Sequence, residues 1–221
     1  MTRKVLIFGV GDFARVACFY LEHDSPLEVA AFTVHDRFIT AKELMGRPVV
    51  AWETAGETHP PSEYDMFVAV GYSKVNRNRA LIFEEASAAG YEMITYVCSK
   101  ATIWPDLTVG KGCFIFENNV IQPFVRIGSN TVLWSGNHIG HDSTIGSNVF
   151  ITSHVVISGN CVVGDNTFIG VNATVRDGIT IGRDCVVGAG TVVLRDAPPE
   201  SVYKSISTPA ATIASGDLRR I

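Results

Sequence analysis

At 221 residues with 47% apolar side chains, the chain is long enough for two small domains, each with a core of its own. A net charge of −4 and an isoelectric point near 5.8 disfavour nucleic acid as a partner, while leaving room for a small phosphorylated ligand held by backbone groups. There is no charged-then-apolar leader, no run of eighteen apolar residues, and an odd number of cysteines, five. Together these point to a reducing cytoplasm and argue against secretion or a membrane span.

The first hundred residues alternate strand and helix signals. Residues 4–8 (KVLIF) read as a short buried strand, closed by Gly9-Val10-Gly11-Asp12-Phe13-Ala14 and a helical stretch to about Leu21. Residues 28–34 form a second strand that ends near His35 and Asp36. Residues 66–70 form a third, closed by Gly71-Tyr72-Ser73 and followed by a helix to about Ala89; residues 91–97 are the last strand. This order predicts a small Rossmann-like α/β domain with a parallel sheet over 1–98. The GxGxxA turn has the form that lets backbone approach a phosphate at a helix N-terminus. Asp36 follows Gly11 at close to the separation at which an acid meets a ribose in dinucleotide folds, but so short a domain lacks the second half such a cofactor needs. A tight strand-to-helix turn with no ligand is the competing reading.

From Ile103 to Leu194 the pattern changes to sixteen consecutive hexads, each opening with Ile, Leu or Val and none broken by an insertion. Against a background of aliphatic residues of roughly one in four, the chance of this is on the order of 10⁻¹⁰, so it is an internal repeat. A period of six fits no helix face, and a stacked solenoid remains. Position five is small or medium (Cys113, Thr131, Ser143, Cys161, Thr167, Ala173, Cys185, Thr191), as a narrow interior requires. Gly follows the aliphatic in eight hexads, and Gly, Asn and Asp crowd the next positions, where tight corners need permissive backbone.

Segments such as IGSNTV, IGHDST, VGDNTF and VGAGTV resemble the signature of hexapeptide-repeat acyltransferases. The resemblance implies a left-handed parallel β-helix over 99–198, with a C-terminal tail at 199–221. In that family three hexads make one triangular coil, so residues three hexads apart stack, and sixteen hexads would give a prism about 25 Å tall. Stacking places Phe114, Val132, Phe150, Phe168 and Val186 in one outward column, expected to be a homotrimer contact; cover by the N-terminal domain or tail is the alternative. Asn119 and Asn137 should form an interior amide ladder.

A short α/β domain joined to such a β-helix resembles the nucleotide-sugar acetyltransferases that include bacillosamine-precursor and perosamine N-acetyltransferases and sialic-acid O-acetyltransferase-like relatives. The resemblance implies an N-terminal domain that binds the nucleotide of a sugar through Gly9, Gly11, Phe13, Ala14, Asp36, Gly71 and Tyr72, with His138 near the site. It implies acetyl-CoA, or another acyl-CoA, along the β-helix at Gly159, Gly170 and Gly188. Lys204 is placed to meet a CoA phosphate, with a solvated tail lysine as the competing reading. The domain pairing favours the amine of a 4-amino-4,6-dideoxyhexose over a hydroxyl as acceptor, and sugar O-acetylation stays open.

The relatives carry a His-Asp or His-Glu pair before an aliphatic-Gly dipeptide, as in GHDSTIG here, which implies His141 as general base. Acyl transfer from a thioester needs a group of near-neutral pKa to take a proton from the nucleophile, and imidazole meets that need. Asp142 is the candidate to fix its tautomer. Gly159, stacked one coil later, offers a bare backbone N–H for the oxyanion, against the plainer reading of a corner glycine. His138 lies in an outward column and His154 at another corner. Three imidazoles between protomers would suffice for zinc, as in γ-class carbonic anhydrases, but the spacing of His138, His141 and His154 is unlike that family's, and no metal is expected.

Overall fold

The computed structural model describes residues 4–217; residues 1–3 of the first expected domain and 218–221 of the expected tail lie outside them. The α/β unit runs β1 (Lys4–Phe8), α1 (Asp12–Asp24), β2 (Glu28–Val34), β3 (Glu43–Leu44), β4 (Arg47–Ala51), α2 (Trp52–Thr58), β5 (Tyr64–Val68) and α3 (Arg77–Ala88). Its sheet has the order β3-β4-β2-β1-β5, parallel except for β3. β1 is an interior strand, between β2 and β5, with both its faces covered, and this is why KVLIF is a continuous apolar run rather than an alternating one. The hairpin of β3 and β4 and the helix α2 carry no such signal. The hairpin turn is made by Met45 and Gly46, both at positive φ, and Met45 is not a residue type that announces such a turn.

The expected last strand, 91–97, divides in two. Met93 bridges to Met66 in the α/β sheet, whereas β6 (Tyr96–Val97) pairs with Phe114–Ile115 and is already part of the β-helix. At the other end Val202–Tyr203 pairs with Val186–Val187, so the segment after Pro199 supplies a last rung. Between them lies a left-handed prism of two-residue parallel strands in three sheets. Every rung pairs with its counterpart three hexads later, as in Val132↔Phe150 and His138↔Val156. The first aliphatic, Ile103, stays exposed outside the closed coils, but from Ile115 onward the column is buried. Asn130, Asn148, Asn160, Asn166 and Asn172 turn the corners in the left-handed conformation, which Asn tolerates because its amide bonds locally. Inside, the Asn137 amide donates to Asn119 Oδ1 at 3.0 Å, and Asn119 donates to Trp134 O at 2.8 Å; this is the expected amide ladder.

The outward column is covered from Phe114 through Val132 and Phe150 to Phe168 by the α/β unit of the same chain, and Val186 at its end is half-buried. Reading it as a contact between copies is therefore corrected. Phe114 and Val132 are fully buried, and the Phe13 ring lies 5.8 to 6.4 Å from those of Phe67, Phe114, Phe116, Trp134 and Phe150. Each such burial contributes roughly 1.5–3 kcal/mol, which favours an intramolecular lid over leaving the column to a second copy.

Polar groups fix the lid's position. Arg79 on α3 is fully buried and forms no ion pair among the described residues. It donates instead to Asn148 O at 2.8 Å, Val149 O at 3.2 Å, Asn130 O at 3.3 Å and Asn76 Oδ1 at 2.9 Å, and it packs over the Phe150 ring. Burial pushes its guanidinium down to about 9, so it stays charged at neutral pH. Asn76, in the left-handed conformation, donates to Asn166 O at 2.9 Å and Thr167 O at 3.1 Å. α3 thus reads the carbonyls of successive coils along one corner. At the opposite edge Asp24 accepts from the Ser99 hydroxyl, from Tyr96 Oη at 2.5 Å and from the Ser99 N–H at 2.8 Å, and these bonds hold its carboxyl below the usual carboxylate range.

Replacing Arg79 with Met keeps the volume but strands four buried acceptors. The expected loss is about 3–5 kcal/mol by denaturant unfolding. A loss below about 1 kcal/mol would contradict the role assigned to this contact.

Candidate active site

The prism has a covered face, a histidine face (Val120, His138, Val156, Thr174, Val192) and a third face (Thr108, Arg126, Thr144, Val162, Thr180). His141 stands on the corner between the last two, opposite the covered face. It is placed there by Gly140, where a Cβ would lie 2.4 Å from Gly159 N, so only glycine lets the two coils meet this closely. The His141 N–H donates to Gln122 Oε1 at 2.9 Å. Asp142 has φ 58°, and its carboxylate curls back to His141 Nδ1 at 2.8 Å. A carboxylate only accepts, so Nδ1 carries a proton, and in the neutral ring the lone pair is on Nε2. Both side chains are about half exposed.

The imidazole lies against Gly159: a Cβ there would be 2.7 Å from Nε2. Corner N–H groups at this position fall outside the ladder between coils and look to side chains, as Ser147 N–H does to Asp165 at 2.7 Å. The Gly159 N–H has no acceptor among the described residues. An imidazole nitrogen and a backbone donor without a protein acceptor are therefore adjacent, an arrangement suited to acyl transfer.

The other expected residues are more dispersed. His138 is half-buried on the histidine face between Val120 and Val156. His154 stands at that face's far corner with its ring over Gly136, where a Cβ would be 2.6 Å from Nδ1. Gly170 and Gly188 lie at the same far corner, closed against Ala189 and Ser205, and Lys204 is exposed beside the last rung. Within one chain only Gly159, of the expected donor-site residues, adjoins His141. Among the described residues no group of three His, Cys, Asp or Glu side chains gathers for a metal.

A cavity of about 870 Å³ opens in the α/β unit, lined by Phe8, Val34, Asp36, Lys74, Asn78 and Glu85 among others. It lies at the carboxyl ends of β1 and β2 and just beyond β5, where connections leave to either side of β1, the usual place for a ligand in an open parallel sheet. His35 sits in it with Nδ1 3.0 Å from Glu53 and Nε2 3.5 Å from Glu85. Glu53 accepts the Asp36 N–H at 3.0 Å; its own and the Asp36 backbone N–H groups hold its carboxyl below the ordinary value.

Of the residues expected to meet a nucleotide, Asp36 lines this cavity. Gly9 (φ 133°) is pressed on Ala69 O, where a Cβ would come within 2.6 Å, and Gly11 caps α1. Phe13 and Ala14 are turned into the domain interface, a correction to their expected ligand contact: the aromatic column offers an apolar side chain more burial than a cavity does. Tyr72, beside Gly71, leans on Phe168 at 4.7 Å and meets Phe150 edge-on at 5.2 Å while about half of it stays exposed. Gln122, His35 and Glu53 were not legible as site residues, since only the stacking of coils or the packing of β2 on α2 brings them in.

Two family models match the repeat: bacterial transferase hexapeptide (six repeats) over residues 124–159, and hexapeptide repeat of succinyl-transferase over 156–195. Residues 124–195 thus carry the hexapeptide repeat of bacterial transferases, and the protein is an acyltransferase. Comparison with curated proteins gives no match. Among solved structures, this acyltransferase is similar to a point mutant of perosamine N-acetyltransferase from Caulobacter crescentus in complex with CoA and GDP-perosamine, at 28% identity over 91% of this chain and 93% of that one, with a TM-score of 0.83. It is also similar to the acetyltransferase domain of PglB from Neisseria gonorrhoeae, at 25% identity over 92% and 97% of the chains and a TM-score of 0.80. WeeI from Acinetobacter baumannii, 19% identical over 91% and 96% with a TM-score of 0.70, shares the fold.

Gly159 has ordinary backbone angles, so Gly159→Ala should fold normally while its methyl displaces the imidazole. The turnover number of the acyltransferase should fall about 100-fold with little change in melting temperature. An unchanged turnover would separate His141 from the reaction.

Proposed function

We propose that the protein transfers an acetyl group from acetyl-CoA to the amine of a nucleotide-linked amino sugar, a 4-amino-4,6-dideoxyhexose, with His141 as general base. The observation that carries this reading is the His141–Asp142 pair set over bare Gly159. The sugar amine attacks the thioester carbonyl; His141 Nε2 takes the amine proton as the C–N bond forms. Asp142 accepts the Nδ1 hydrogen bond of the resulting imidazolium, and the Gly159 N–H meets the oxygen as it gains charge. The C–S bond breaks, and the proton passes to the CoA sulfur. The similarity to a perosamine N-acetyltransferase bound to CoA and GDP-perosamine supports both substrate classes.

The α/β cavity is proposed as the nucleotide site, with Asp36 toward the ribose. It stands on the side of the covered face, whereas His141 is on the opposite corner, so one chain does not bring them together. A homotrimer resolves this. The histidine face exposes Val120, Val156 and Val192 in one column beside His138, an apolar strip suited to a second copy. Each site would then take its nucleotide cavity from one chain and its imidazole from the next. The cytoplasm, where nucleotide sugars and acyl-CoA are available, is the compartment proposed. Among the described residues no helix is long and apolar enough to cross a membrane.

Release of CoA thiol should depend on the acceptor's amine, with the 4-hydroxy counterpart inert. His141→Ala should lower the turnover number by roughly 10²–10⁴-fold. A His141→Ala protein that keeps its full rate would overturn the base assignment, and equal rates on the hydroxyl sugar would overturn N-acylation.

A further inference from the structure

Phe124 is the most exposed of the large aromatic side chains, at 66% of its free surface, and it is held at φ 68°. The residues stacked at this corner in the later coils are Asp142, Asn160 and Gly178, types that take the left-handed conformation readily. A phenylalanine there strains the backbone, and its exposed ring gains no packing in return. Strain of this kind is retained where the side chain has a use outside the fold.

The surroundings indicate that use. The 122–124 segment is tied to the imidazole's corner: Gln122 accepts the His141 N–H, Pro123 O accepts the Asp142 N–H at 3.2 Å, and the Phe124 N–H is held by Asp106 at 2.5 Å. Phe124 therefore stands one coil to the N-terminal side of the His141–Asp142 pair, and Gly159 one coil to the C-terminal side. Beyond Gly159 the same corner carries exposed Arg176 and Arg195, suited to the phosphates of an acyl-CoA. With the donor along the C-terminal coils, the acceptor must reach Nε2 from the side of Phe124. Aromatic rings pack well on the C–H face of a hexopyranose, and a 6-deoxy sugar adds a methyl group to that face.

We propose that Phe124 is the platform on which the apolar face of the acceptor's deoxyhexose stacks, a specificity-determining contact beside the general base. This rests on the acyltransferase reading of the same corner.

The test is steady-state kinetics of Phe124→Asn and Phe124→Tyr with acetyl-CoA and the GDP- or UDP-linked 4-amino-4,6-dideoxyhexose, whichever the unmodified protein turns over faster. Asn suits the left-handed backbone at this position, so Phe124→Asn should melt no lower than the parent and keep its oligomeric state in light scattering. Its KM for the sugar nucleotide should rise about tenfold while that for acetyl-CoA stays within about twofold, and Tyr should restore the parent value. An unchanged sugar KM, a rise confined to acetyl-CoA, or loss of the oligomer would overturn the platform alone. Absence of transfer by the unmodified protein would overturn the activity and the platform together.

Discussion

Parallel coils stacked in an unbroken register of three hexads impose the constraint on which everything else depends. Strands of two residues are too short to be stable alone, and they persist because every inner rung is hydrogen-bonded above and below while Ile, Leu and Val fill the interior. Because no coil is longer than another, a side chain's place in its hexad decides its face, its corner and its neighbours on either side. His141 meets Gly159, and Phe124 meets Asp142, for the same reason that Val132 meets Phe150. The proposed site is a by-product of a packing rule, which explains how so small a set of residues is held rigidly on an otherwise plain surface.

The second determinant is how the α/β unit is seated. It takes the one face whose outward column is aromatic, and Arg79 and Asn76 fix its height by bonding to corner carbonyls of successive coils. A guanidinium that binds only carbonyls and an amide resists sliding by a rung, since each acceptor would be lost at once. α3 also lines the α/β cavity through Asn78 and Glu85, so the seating of the domain and the placement of the cavity are one geometric fact. The valines of the histidine face are left free for another copy.

Much of this was legible in the sequence, and unevenly so. The hexad period specified a stacked solenoid, and the family resemblance implied the coil of three hexads whose columns give the neighbours of His141. The period could not say what covers an outer face. The aromatic column reads first as a contact between copies, with cover by the first domain as the alternative, and what decides for cover lies in Phe13, Tyr20 and Tyr72, whose partners are distant along the chain. Phe13 sits in a turn that looked like a nucleotide-binding segment, and its ring serves the interface instead. Arg79 gave no signal because charged residues on a helix are ordinarily solvated. β3 and β4 were missed because a short edge hairpin, half-buried and carrying Pro48, has neither the alternation nor the apolar run that marks a strand.

The central claim is that stacking puts the imidazole on a corner its own α/β unit does not reach, so each site is shared between chains. Mixed oligomers test it most directly. His141→Ala chains and Asp36→Lys chains, each shown to be inactive alone, would be unfolded together in equal amounts and refolded. If cavity and base come from adjacent chains of a trimer, about one quarter of the sites receive an intact copy of each, and about one quarter of the parent activity should return. A mixture as inactive as its components would contradict the account, because it would place both halves of the site in one chain.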